Sequence, residues 1–552
     1  MFIEKSKSRI SKATPFVWLL FSLALALIIS ACGSSQKTVA TKVIDSIPII
    51  VPIPHVASEL ALNIAYPPAG MMRPSVDSNF VFGTLGTSGS LTINGNPVRV
   101  AANGAFLAFL PMPKDGKYKF VAHSADAVDS TEVAYVMPSN RTLTGSVTDS
   151  GRLAIVPSKQ AVTSQPRAHI VAGSDTLQTG SDAAAVSPVL GGDRKWSLPN
   201  NAKIRILAKQ GHDLLVRIGN DSGWIADTNV HLDTLPITNR STSSGTHVGV
   251  FHTEMATPNV HVEAGYLDLR MDVKFAPFLI ADQANLLRIT IYSALHRPEA
   301  FDFASTAARI KLISDKAVAG GVEYSVWLRT LPWGYKAFYE SDGTLVVRIR
   351  KQPMIDTSNV FSGLRIAVDP GHPPAGAFGP SGLTEAEANL ALALRIQKLL
   401  EARGAHVIMT HTTLKGRKSS TNATIELHAR TQMAVDSNAD ILLSVHNNAF
   451  PEGTNPFTNY GSTTYYYHNF SADLAATLIQ AIDSVTQIPN KGARTKSLAL
   501  CRPTWMPSVL TESLYLMFPE QEAALRDSNF LDRLAQAHIR GLEKFLIGRV
   551  RD

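Results

Sequence analysis

Four polar residues in the last third of this 552-residue sequence fall where an apolar run gives way to a loop or a helix. His372 follows Ile366-Ala367-Val368-Asp369-Pro370-Gly371, and Glu385 stands at the start of a helical pattern. His446 ends Leu442-Leu443-Ser444-Val445, and Glu512 ends Val509-Leu510-Thr511. In open α/β sheets ligands bind in the crevice outside the carboxyl ends of the strands, so parallel strands would gather these groups. Two neutral imidazoles and one carboxylate are the ligand set of a catalytic zinc site, which keeps a fourth tetrahedral position for water. A second glutamate is then free to act as a general base. Taken singly, among 16 histidines and 45 acidic residues, each histidine reads as a hydrogen-bonded loop residue. The set of four is what points to a metal centre.

The elements that must position these groups are legible as a change of pattern. After about residue 362 strands alternate with helical periods, which predicts an α/β domain over 362–548 with a mostly parallel sheet flanked by helices. The expected strands are 365–369, 406–410, 441–446 and 508–512. The helix after Glu385 places Leu392, Ile396, Leu399 and Leu400 on one face and stops at Gly404. Leu474, Leu478 and Ile482 mark another helix, and residues 520–547 a long terminal one. Thr384-Glu385-Ala386-Glu387 spells a capping box, with Thr384 as N-cap and Glu387 folded back onto the backbone. That leaves Glu385 free to face a cation rather than merely to complement the helix dipole.

Asp369-Pro370-Gly371-His372, Glu385 with Asn389-Leu390, Ser444-Val445-His446-Asn447-Asn448-Ala449 and Val509-Leu510-Thr511-Glu512 occur in that order. Together they resemble the zinc-dependent N-acetylmuramoyl-L-alanine amidase family of the amidase 3 type. Arg430, Ala434, Ala439 and Asp440 fit the family's stretch before the second histidine. The resemblance implies zinc held at His372, Glu385 and His446, with Glu512 as catalytic glutamate. It also implies hydrolysis of the amide between N-acetylmuramic acid and L-alanine in peptidoglycan. Pro373-Pro374 departs from the family's usual glycines, and Val435 stands where asparagine is common. Arg502 is a candidate to steer a substrate carboxylate, against a solvated arginine; Cys501 reads as a packing residue because it lacks a basic partner. Competing readings are a non-catalytic peptidoglycan-binding lipoprotein and a zinc peptidase or deacetylase on a similar sheet. The loop 450–460 is too short for the inhibitory helix found in some relatives, which leaves control to the upstream domains or to an external regulatory protein.

Upstream, 45% hydrophobic and 18% charged residues suit several packed cores, and the length predicts roughly three to five domains. Short strands with turn signals predict a β-sandwich over 57–140, with Asn94-Gly95 as a hairpin turn. A second β-rich block, 145–235, ends in Ser222-Gly223-Trp224-Ile225-Ala226, which resembles the Gly-Trp strand of SH3-like modules; a spacer with a core tryptophan is the alternative. A third, 245–355, holds Leu267-Asp268-Leu269-Arg270-Met271-Asp272-Val273, whose alternation predicts a half-buried strand.

The N-terminus reads as an export signal over 1–31. Lys5, Lys7, Arg9 and Lys12 precede an apolar run of 14 residues from Phe16 to Ile29, short of the about 20 needed to span a bilayer. Ile29-Ser30-Ala31-Cys32 resembles a bacterial lipobox, which implies a lipidated Cys32, a tether over 32–56 and, with Gly33 after the cysteine, outer-membrane delivery facing the periplasm. Only Cys501 then remains, so an intrachain disulfide is excluded. Removing the leader lowers the net charge from +7 to near +4, too mild for nucleic-acid binding.

Overall fold

Packing rather than disulfides holds the chain together, as is apparent in its computed structural model. The model describes residues 59–86, 89–137, 160–161, 167–170, 184–192, 194–232, 259–261, 266–273, 275–292, 309–374 and 376–551. The leader, Cys32 and the tether lie outside the described residues. Among the described residues no helix is long and apolar enough to cross a membrane.

Strands β1 (Arg365–Pro370), β2 (His406–Met409), β3 (Ile441–Asn448), β4 (Ser462–Tyr466), β5 (Asn490–Thr495) and β6 (Ser508–Tyr515) form one sheet in the order β2-β1-β3-β6-β4-β5. Four pairings are parallel, and β4 runs antiparallel to β6. Helices α1 (Glu385–Glu401), α3 (Ala472–Thr486) and α5 (Ser528–Arg551) lie on one face, where Leu392, Ile396, Leu474, Leu478, Leu534 and Leu542 are fully buried. Helix α2 (Ala423–Asp436) covers the other, its Ala434 packed with Ala367, Leu442, Leu500 and Met506. Helix α4 (Pro519–Arg526) follows β6. Alternation along the strands therefore sends Asp369, Ser444, His446 and Glu512 to the α2 face and Val445, Asn447 and Thr511 to the α1 face.

Upstream, a three-stranded and a four-stranded antiparallel sheet enclose Val81, Leu91, Ile93, Phe106, Tyr118 and Phe120. Asn94 and Gly95, both at positive φ, turn Ser90–Ile93 into Asn96–Val98. Beyond the sandwich, one apolar cluster runs from Val186, Trp196 and Val216 through Leu267, Ile289 and Val347, and Trp196 Nε1 donates to the Tyr292 hydroxyl at 3.1 Å. The tryptophan at the centre of that core is Trp196; Trp224 is only half-buried. In Tyr266–Asp272 the apolar positions are buried as expected, but so is Asp268, which lies under the guanidinium of Arg348 at 2.7 Å.

Candidate metal centre

Strands β1 and β3 are hydrogen-bonded neighbours; His372 follows β1 and His446 lies within β3, and their ring centroids are 5.2 Å apart. Room for this is made by glycine: a Cβ on Gly371 would lie 2.3 Å from the His446 ring. His372 itself has a φ of +61° and is followed by Pro373 and Pro374, both joined by cis bonds. Thr384 caps α1 through its side chain and Glu387 returns to the Thr384 amide at 2.9 Å, so the capping box forms as expected. Glu385, in the same first turn, is buried and points inward. His372 Nε2 lies 3.2 Å from its Oε2, and His446 Nδ1 lies 3.1 Å from its Oε1.

One ligand atom from each of His372, Glu385 and His446 lies within 4.8 Å of the others. This donor set fits zinc, which takes imidazole nitrogen and carboxylate oxygen in three-ligand sites. The surroundings orient these donors. Pro374 O faces His372 Nδ1 at 3.1 Å and holds the proton there, leaving Nε2 with the lone pair a metal requires. The Glu385 carboxylate accepts from the amides of Ala377 and Asn447 and from Asn389 Nδ2. Burial acts to raise its pKa, but hydrogen bonds and charge from the two imidazoles win and hold it well below the usual carboxylate range. Burial likewise acts to lower His372, and Glu385 outweighs it and raises the imidazole.

Glu512 is the register partner of His446 on β6, on the same face of the sheet. Its Oε2 is closed to solvent and without a hydrogen-bond partner. An orphaned carboxylate oxygen costs free energy unless a ligand or water satisfies it, so its place beside a donor triad is itself a sign of a site. Burial and the charge of Glu385 push the Glu512 carboxyl well above its ordinary range. That is the direction needed by a group that must take up a proton near neutral pH.

Residues 366–544 match the family model of N-acetylmuramoyl-L-alanine amidase. The C-terminal domain of this chain belongs to that family. The match to the probable cell wall amidase LytH of Staphylococcus epidermidis is 30% identical over 193 residues, covering 34% of this chain and 60% of the relative. LytH of Staphylococcus aureus is 31% identical over 189 residues, covering 34% of this chain and 59% of the relative. The solved amidase AmiC2 of Nostoc punctiforme is 29% identical, covering 34% of this chain and 99% of that one, with a TM-score of 0.30. The chain thus spans about 60% of the length of the curated relatives it matches.

Within the amidase domain the two further residues singled out by the sequence, Arg502 and Cys501, make contacts of their own. Arg502 is half-buried, and its Nη1 donates to Ser497 O at 2.9 Å. Cys501 is buried with its thiol donating to Tyr465 O, and burial pushes that thiol up to about 12, which suits packing. Sequence reasoning did not assign the residues behind the ligands. Asp369 accepts from Thr410 and Ser444 at 2.6 Å each and faces Arg430 at 3.5 Å. Arg430 in turn donates to Pro370 O and Pro373 O, fixing the turn that carries His372. Asn389 Nδ2 donates to Gly371 O at 3.1 Å, and its Oδ1 accepts from Asn447 at 2.9 Å, tying the His372 loop and the end of β3 to α1. The available signal for Asn389 was its i, i+4 spacing from Glu385, which stacks the two on one helix face.

Proposed function

We propose that this chain is a zinc-dependent peptidoglycan amidase that cleaves the amide between the lactyl group of N-acetylmuramic acid and L-alanine. The observation that carries the reading is the convergence of His372, Glu385 and His446 beside the orphaned Glu512 oxygen, inside a domain of the amidase family. Zinc, when bound by those three residues, polarises a scissile carbonyl and lowers the pKa of water from 15.7 to about 7. Glu512 accepts the proton of the attacking water and returns it to the amine of alanine as the C–N bond breaks. Glu385 stays ionised throughout because its oxygens remain hydrogen-bonded. Asn389 and Arg430 keep the His372 loop in place, and Asn389 also holds the end of β3.

The reading extends to location. A leader ending at Ala31, just before Cys32, delivers the chain to the cell envelope, where acylation of the cysteine anchors it, in this proposal at the outer membrane, with the tether setting its reach toward the wall. The block over 145–235 then serves as an SH3-like module that holds wall. Digestion of purified peptidoglycan followed by mass analysis tests the chemistry. Free stem peptides ending in an L-alanine amine are expected; deacetylated glycans or cleaved stems would replace the amidase by another zinc hydrolase, and an intact wall would leave a binding protein. Incorporation of labelled fatty acid by the wild type, lost in Cys32→Ser, tests the anchor.

A further inference from the structure

The α2 face of the sheet continues past Glu512 onto β4 and β5. Thr463 is the register partner of Glu512, Tyr465 that of Leu510, and Arg494 that of Tyr465, so Glu512, Tyr465 and Arg494 project from one face. Lys496 is one residue beyond β5, with its ammonium 5.1 Å from the centre of the Tyr465 ring. Both bases are exposed, and among the described residues neither has a carboxylate within ion-pair distance. Arg494 spends only its Nε, on Lys491 O at 3.0 Å. Beyond the effect of burial, Glu512 pushes the Tyr465 hydroxyl up and Arg494 draws it down, which puts the three groups in one electrostatic neighbourhood.

We infer that Arg494 and Lys496 form a carboxylate-binding subsite for the acidic peptide on the leaving side of the scissile bond; the inference rests on the amidase reading of this site. Direction supports it. Glu512 hands a proton to the leaving amine, so that amine lies on the Glu512 side of the His372, Glu385 and His446 cluster, and the two bases lie further along the same side. Distance supports it as well. Adjacent strands are about 4.8 Å apart, so β5 stands about 10 Å from β6. An extended peptide covers about 3.3–3.6 Å per residue, which places the second or third residue of a stem over the bases. A stem acid arriving there meets two unpaired cations beside Tyr465, whose ring already carries the Lys496 ammonium.

The test compares two muropeptides of one length, with the stem carboxylates either free or amidated. Each is titrated by calorimetry into the zinc-loaded full chain and its Arg494→Gln/Lys496→Gln variant, and each is assayed for turnover. The expected result is about tenfold tighter binding of the free acid by the wild type, as two exposed ion pairs would give. The ratio should fall to about one in the double variant and be recovered in Arg494→Lys/Lys496→Arg. It should also shrink as salt is raised. Equal binding of both muropeptides by the wild type, or a ratio unmoved by the double variant, overturns the subsite while leaving the amidase reading intact. Discrimination without turnover of either muropeptide would retain the subsite and remove the amidase.

Discussion

Glu385 and Glu387 are two residues apart in the first turn of α1, and the backbone gives them different work. Glu387 is exposed and spends its carboxylate on Thr384, accepting from both its amide and its hydroxyl. Glu387→Ala should therefore keep full zinc content and lose about 0.5–2 kcal/mol of stability, read by thermal melting of the metal-loaded and metal-free chain. Glu385→Ala should lose the metal, measured by atomic absorption after gel filtration. Glu512→Gln isolates proton transfer: a positioned acid/base contributes about 10²–10⁴-fold, so turnover should fall by at least that much while zinc stoichiometry stays at the wild-type value. Loss of zinc in this variant would make Glu512 a ligand, and retained turnover would remove it from the mechanism. The division between Glu385 and Glu387 was legible because a capping box is written in four consecutive residues. The role of Asp369 was not, because its partners Thr410, Arg430 and Ser444 come from three other segments of the chain.

At the level of elements, strands with continuous apolar runs were readable, whereas the β4–β5 side of the sheet was not. Asn490–Thr495, with the sequence Asn-Lys-Gly-Ala-Arg-Thr, carries no apolar alternation, and charge on an edge strand is what discourages pairing with other chains. Its place two strands from Glu512 follows only from the antiparallel turn of β4, which no local pattern announced. Helix α5 meets β6 through a fully buried His538, whose Nε2 faces Thr511 Oγ1 at 3.1 Å while Nδ1 donates to Leu534 O at 2.8 Å. Burial lowers this imidazole from 6.5 to about 4. Between those values the unfolded chain takes up a proton that the folded chain does not, so stability falls as pH drops through that window, by a total on the order of 3 kcal/mol. His538→Gln should flatten this dependence: the wild type should lose more of its urea midpoint than the variant between pH 7 and pH 5, and parallel losses would exclude His538 as the cause.

On the scale of the whole molecule, the amidase domain is clasped from two directions, which domain-by-domain sequence reading does not reveal. From one side Arg350 enters the domain, donating to the carbonyls of Asn438, Ala439 and Trp505 and pairing with Asp440 at 2.7 Å. Gly334 closes the same seam, where a Cβ would lie 2.4 Å from the Trp505 backbone. Arg350→Ala leaves Asp440 buried without its cation, and removing one partner of such a pair costs about 3–5 kcal/mol. From the other side the β-sandwich reaches the loops of the metal site. Phe82 meets Phe378, between His372 and Glu385, edge to face with centroids 5.7 Å apart. The Tyr66 hydroxyl donates to Glu452 at 2.7 Å, and Asn79 accepts from the Gly453 amide at 3.2 Å, in the loop that follows His446. Arg99 pairs with Glu520 on α4 at 2.6 Å. The loops that carry or follow both histidines therefore lean on a separate domain, and their rigidity depends on it. Tyr66→Phe with Phe378→Ala removes two of these contacts without opening the sandwich core, because Phe378 is already 38% exposed and Tyr66 keeps its ring. A hydrogen bond of this kind contributes about 1 kcal/mol, so amide exchange in residues 376–383 and 449–455 should quicken by about fivefold, with zinc dissociation faster in step. Exchange rates unchanged in those two loops would show that the amidase domain holds them without help from the sandwich.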